Sequence, residues 1–204
     1  MSNFHRMLMV QAMANNGGLP KQYQAVEYIG SDGSQYIDTL VNGGSDIAID
    51  IVMSDNKGGW ILGSQKSASA SRFVLYCNNN AQFAFKVNSN IGQNYKCDNV
   101  AQHHFILSNT KCVMDNYTYS INSGAWADTL PLFLFAMNNN GTYQTGASFK
   151  IHKCNIFSDT TLVRQFVPCY DKQSLEIGMY DTISRTFFTN SGTGTFTKGN
   201  DIKL

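Results

Sequence analysis

From Tyr23 to its end the chain is written as short β-branched and aromatic runs, broken by clusters of Asn, Gly and Ser about every ten residues. Such runs are too short for helices and suit strands. Strands are expected near Ala25–Ile29, Gln35–Thr39, Ile47–Met53, Trp60–Ser64, Phe73–Tyr76, Gln82–Val87, His104–Ser108, Cys112–Met114, Thr118–Ile121, Leu132–Ala136, Phe149–Ser158, Leu162–Tyr170, Glu176–Tyr180 and Thr186–Thr189. In Ala48 to Met53 and in Phe149 to Phe157 apolar and polar positions mostly alternate, so one face is buried and the other wet. Asn42-Gly43-Gly44-Ser45, Asn56-Lys57-Gly58-Gly59, Asn138-Asn139-Asn140-Gly141 and Asn190-Ser191-Gly192 supply turn residues that tolerate positive φ. No βαβ alternation and no repeat of solenoid length interrupts this grammar, which predicts two antiparallel sheets packed face to face.

A length of 204 residues without a charged or Pro-rich linker suits one sandwich domain over residues 20–204, preceded by an amino-terminal arm over residues 1–19. Hydrophobic residues at 43%, with 13 Phe and 10 Tyr, are enough to bury a two-sheet core without a metal or disulfide staple. The formal charge is only +1 and no basic cluster follows the chain, which argues against nucleic acid as the main partner. Charged residues make up 14% while Asn, Ser, Thr and Gly abound, so the surface is polar through amides and hydroxyls, a composition suited to carbohydrate contacts. Cys77, Cys97, Cys112, Cys154 and Cys169 form no CxxC pair and no zinc spacing; reduced buried thiols are expected, against an alternative of two disulfides and one free thiol.

The arm holds His5-Arg6 and Met7-Leu8-Met9-Val10, an apolar run shorter than the hydrophobic region of a signal peptide. Met7 to Met13 are good helix formers, stopped by Asn15-Asn16-Gly17-Gly18, and predict a helix too short to stand alone. Phe4, Met7, Leu8, Met9 and Val10 are therefore candidate docking residues, either on the chain's own domain or on a partner subunit. No run approaches the length of a transmembrane helix, and no membrane partner is expected.

Two segments carry a family resemblance. One is Leu19-Pro20 through Tyr23-Gln24-Ala25-Val26-Glu27-Tyr28-Ile29 with Gly33-Ser34-Gln35-Tyr36-Ile37-Asp38-Thr39. The other is Leu162-Val163-Arg164-Gln165-Phe166-Val167-Pro168-Cys169-Tyr170, continuing through Ile177-Gly178-Met179-Tyr180-Asp181 to Phe187-Phe188-Thr189-Asn190-Ser191-Gly192 and Phe196. Together they resemble the concanavalin A-like, laminin-G-like jelly-roll domains of phage structural, tail or fibre proteins and of related gut-bacterial proteins. The resemblance implies an all-β jelly roll in which the two end segments lie side by side. It makes Tyr28, Tyr36, Ile37, Phe166, Tyr180 and Phe188 packing residues, with Gly178 and Gly192 permitting close approach. It further implies a virion protein, decorating a capsid or forming a head fibre or tail part. Such a part is assembled in the bacterial cytoplasm, oligomeric, and docked on other virion proteins.

No catalytic constellation is visible. His103-His104 is the only histidine pair, and neighbours on a strand point to opposite faces. Glycosidases built on this jelly roll resemble one another in carrying two Glu on one strand, whereas Glu27 and Glu176 here are far apart and each inside an end motif. No phosphate-loop, nucleophile-elbow or nucleotide fingerprint is present. The chain is thus expected to be no enzyme and to need no cofactor. Calcium is a candidate that no motif supports, with Asp46, Asp55, Asp98, Asp115 and Asp128 near turns and no dense acidic loop. A sugar site needs an aromatic platform with amides. Trp126, Trp60, Tyr143 and Tyr117 are the candidate glycan contacts, Trp126 first among them, and a host surface polysaccharide is the ligand class.

Overall fold

The computed structural model describes residues 18–78, 82–96 and 100–204. Phe4, Met7, Leu8, Met9 and Val10, the Met7 to Met13 helix, Cys97 and Asp98 lie outside them. Nineteen strands in two sheets make up the described chain. No helix among the described residues is long and apolar enough to cross a membrane.

The larger sheet runs in the order β11 (Tyr117–Ser120), β10 (Lys111–Met114), β9 (His103–Ser108), β4 (Ile47–Ser54), β15 (Phe149–Ser158), β16 (Thr161–Asp171), β17 (Ile177–Asp181) and β18 (Thr186–Phe188). The smaller runs β14 (Thr142–Gln144), β13 (Met137–Asn139), β5 (Gly59–Gln65), β6 (Arg72–Cys77), β7 (Gln82–Val87) and β8 (Asn90–Lys96), with β12 (Ala127–Leu134) joining β5 to β3 (Ile37–Gly44). Strand pairing is antiparallel apart from a short parallel contact of β13 with β5.

The end segments meet in the larger sheet. Here β1 (Tyr23–Ala25) pairs with β16, placing Gln24 opposite Tyr170, while β2 (Ile29–Ser31) is bracketed by β15 and by β19 (Thr197–Lys198). The side-by-side ends implied by the resemblance are therefore present, and Glu27 Oε2 accepts from the backbone and side-chain amides of Asn200 at 3.1 Å to hold them. A Cβ on Gly178 or on Gly192 would stand 2.2 Å from the carbonyl oxygen of Phe188 or Ser34, so both positions are closed to any side chain.

Ile49, Ile51 and Met53 of β4 and Ile151 and Ile156 of β15 face Leu62, Phe73, Leu75 and Phe85 of the smaller sheet in one core. Phe83 and Phe105 join the layers with ring centroids 4.8 Å apart. Each fully buried side chain of this size contributes roughly 1.5–3 kcal/mol by leaving water. Ile37 and Phe166 are buried in this core, with Phe188 at its edge. Tyr28 instead packs outside it, edge-on to His152 and under the Lys150 ammonium.

Cys77, Cys112, Cys154 and Cys169 are buried and free. Burial pushes the Cys77 thiol up to about 11 and those of Cys112 and Cys169 to about 12, so none is a nucleophile at neutral pH.

Several elements differ from the sequence reading. Asn138 and Asn139, read as turn, form β13, because Asn138 Nδ2 donates to Pro131 O and its Oδ1 accepts from Gly141 N, moving the turn to Asn140-Gly141. Asn42, Gly43 and Gly44 belong to β3, and the turn follows at Ser45-Asp46. Strand β8 carries almost no apolar signal because its inward position opposite Phe85 is Gly92, where a Cβ would lie 2.1 Å from the Phe85 ring.

Candidate functional site

The smaller sheet has a second face that the main core does not use. Register puts Asp38, Phe133, Gly63, Val74, Lys86 and Ile91 in one row across β3, β12, β5, β6, β7 and β8. Their immediate neighbours Leu134, Leu62, Leu75 and Phe85 point into the core. Val74, Ala84 and Phe133 are buried yet stand apart from that cluster, so they form the floor of the opposite face. Gly63, at φ +141°, leaves the centre of the row without a side chain; a Cβ there would meet Phe73 O at 2.2 Å.

Two aromatic groups stand on this floor. A bulge between Trp60 and Leu62 brings Trp60 level with Tyr76, ring centroids 5.1 Å apart. Lys86 Nζ lies 5.3 Å from the Trp60 ring centre and 5.2 Å from that of Tyr76. Burial lowers the Lys86 pKa and the Arg72 charge lowers it further. Arg72 itself, almost wholly buried, donates from Nε to Asn88 O at 2.7 Å and from its guanidinium to Ala68 O.

In the second group Tyr36 stacks between Phe133 at 4.6 Å and Tyr143 at 5.0 Å. The Tyr143 hydroxyl donates to Gly33 O, which fixes the outermost ring. Burial raises the Tyr36 pKa, with the Asp38 charge adding to it, so its phenol stays neutral. At the end of β5 away from Trp60, Gln65 and Asn139 are half-buried in register, Gln65 Nε2 reaching Asn139 Oδ1 at 3.5 Å. Flat ring faces beside amides can hold an amphipathic ring compound through its C–H face while reading its hydroxyls.

The four aromatic candidates separate. Trp60 belongs to this face, and Tyr143, in register with Asn138 on the β13–β14 hairpin, meets it through its stack on Tyr36. Trp126 packs against the main core, and its indole Nε1 donates to Asn109 Oδ1 at 2.9 Å, so it is a wedge between the Gly43 strand end and the turn after β9. Tyr117 is exposed on the edge strand β11, its ring 4.6 Å from that of Tyr95, across the other sheet. No local motif marks Tyr76, Lys86 or Phe133 as a site residue. Only the alternation Phe83-Ala84-Phe85-Lys86-Val87 marks Lys86 as facing away from the core.

The calcium candidates have partners of their own. Asp46 accepts from Ser158 Oγ at 2.6 Å, Asp55 pairs with Lys150 at 2.5 Å, and Asp115 pairs with His103 at 2.7 Å. Asp128 caps the amides of Thr129 and Leu130 through Oδ1, while its buried Oδ2 has no hydrogen-bond partner. No three His, Cys, Asp or Glu side chains gather to hold a metal among the described residues.

His103 and His104 do point apart, the second toward Asp50 on the outer face of the larger sheet. There the Asp50 carboxylate, 5% exposed, accepts from His104 Nε2 at 2.6 Å and Lys153 Nζ at 2.8 Å. Burial alone would raise its pKa, but the His104 hydrogen bond and the Lys153 ammonium outweigh burial and hold it below the usual carboxylate value.

No protein-family model and no curated protein matches the chain. Among solved structures, domains LG4-5 of the mouse laminin α1 chain are similar with a TM-score of 0.55 and 15% identity, over 88% of this chain and 48% of that one. The chain spans about half the length of that laminin fragment. A SAP-like pentraxin from Limulus polyphemus (TM-score 0.46, 9% identity, 65% of this chain and 76% of that one) is also similar. So is the NanB sialidase from Streptococcus pneumoniae (0.43, 10%, 87% and 39%). The fold is a laminin-G-like jelly roll.

Proposed function

We propose that the chain is a non-enzymatic glycan-binding module, and that it meets sugar on the free face of the smaller sheet. The observation that carries this reading is the Trp60 and Tyr76 pair on the outer face of the smaller sheet, with the Phe133, Tyr36 and Tyr143 stack and the half-buried amides of Gln65 and Asn139 on the same side of the molecule's core. Pyranose rings offer a C–H face to stack and hydroxyls to bond, and water leaves both surfaces on contact. A sheet holds such a platform rigidly, so little side-chain entropy is lost on binding. A glycan array followed by titration tests this. Trp60→Ala is expected to weaken the best ligand by roughly ten- to a hundredfold with an unchanged melting transition. A blank across bacterial surface glycans, or full binding by Trp60→Ala, overturns it.

The narrower reading is a structural virion subunit whose residues 1–19 attach it to other virion proteins or to further copies, and whose jelly roll faces outward. The resemblance of the two end segments supports it. Deleting residues 2–18 is expected to abolish incorporation into particles while the sandwich still unfolds cooperatively. Unimpaired incorporation, measured by co-sedimentation, counts against it.

A further inference from the structure

We infer that the free face of the smaller sheet selects an anionic saccharide, and that the Lys86 ammonium beside the Trp60 and Tyr76 rings is the seat for its carboxylate or sulfate. The inference rests on the glycan-binding reading and adds the ligand's charge to it.

Lys86 projects from β7, one strand in from the edge strand β8, above the buried Val74 and Ala84. An exposed lysine ordinarily gains a carboxylate partner or extends into water. Lys86 is half-buried with its ammonium over the Trp60 and Tyr76 ring pair, and among the described residues no carboxylate pairs with it or with Arg72. The carboxylate on its own row, Asp38, is four strands away, about 19 Å at ordinary strand spacing, and its Oδ1 accepts from Leu40 N. Arg72, two residues from Val74 on the same face, bonds the carbonyl oxygens of Asn88 and Ala68, neutral acceptors that leave its positive charge uncompensated. Two cations without counter-ions over an apolar floor make a field that an incoming anion completes. A sugar lying against Trp60 or Tyr76 brings its exocyclic groups to this same ammonium. Carboxylate and sulfate share the chemistry, and Lys meets either as a point charge.

The full chain is titrated with an oligogalacturonate and its neutral methyl ester, and with a sulfated oligosaccharide and its desulfated form, the pairs being extended by acidic and neutral members of an array. The wild type is expected to prefer the anionic member of at least one pair by about tenfold, more at low salt. The ratio should collapse toward one in Lys86→Met and return in Lys86→Arg. Should Lys86→Met unfold, the salt dependence of wild-type binding decides, because the anionic ligand alone must weaken as salt rises. Equal binding of anionic and neutral members overturns this inference and leaves the glycan reading standing. Binding to no member of the array overturns both.

Discussion

Replacing Phe149 by alanine lowers the free energy of unfolding by about 3–5 kcal/mol. Phe149 opens β15 in the larger sheet and is 2% exposed. Its ring lies 4.8 Å from Phe135, in the turn after β12 of the smaller sheet, and Phe135 lies 5.1 Å from Phe196 of the carboxy-terminal segment. One aromatic trio therefore joins both layers and the chain end. Truncating Phe149, the end of the trio in the larger sheet, removes a large apolar area and leaves a void that strands hydrogen-bonded on both sides cannot close. Urea titration should show a lower midpoint at an unchanged slope. The comparison is Tyr117→Ala on the exposed edge strand, expected within about 0.5 kcal/mol of the wild type. A Phe149→Ala loss below about 1 kcal/mol would mean that the sheets do not close around this trio.

That core was legible where the neighbouring strand asks nothing special of a residue. Phe149 to Ser158 and Gln82 to Val87 alternate because one face is buried, and the strands run over those same residues. Legibility failed where a partner supplies what the sequence leaves out. Phe85 fills the place of a side chain at Gly92, so β8 reads as loop. Pro131 argues against a strand, yet β12 tolerates it opposite Asn42 because the register shifts on either side. The same division holds for the site. Trp60 is visible as an aromatic near a Gly-rich turn, but Tyr76 and Lys86 become its neighbours only across β5, β6 and β7. Trp126 has the same local signature as Trp60. What removes it from the face is a contact with Asn109, 17 residues away, that no local pattern contains.

Asp181→Ala is expected to cost about 3–5 kcal/mol, although nothing in its composition or spacing marks it as more than the end of a strand. Its side chain is fully buried at the end of β17. Oδ1 accepts from the backbone amides of Gln165 at 2.7 Å and Ile183 at 3.2 Å, and Oδ2 from that of Ser184 at 3.1 Å. Arg164 Nε lies 3.6 Å from Oδ2 and also donates to Thr39 O at 3.1 Å, which carries the network from β16 of the larger sheet to β3 of the smaller. Alanine leaves these amides without acceptors and the arginine without a counter-charge, and buried donors left unsatisfied are what make such losses large. Asp181→Asn separates the two contributions. Its amide oxygen can still serve Gln165 and Ile183, but its NH2 faces the Ser184 amide and Arg164, so an intermediate loss of about 2 kcal/mol is expected. Equal stability of wild type and Asp181→Asn would show that the charge contributes nothing and that the backbone turn holds itself. A loss as large as that of alanine would put the weight on the pairing with Arg164, and then on the tie between the two sheets.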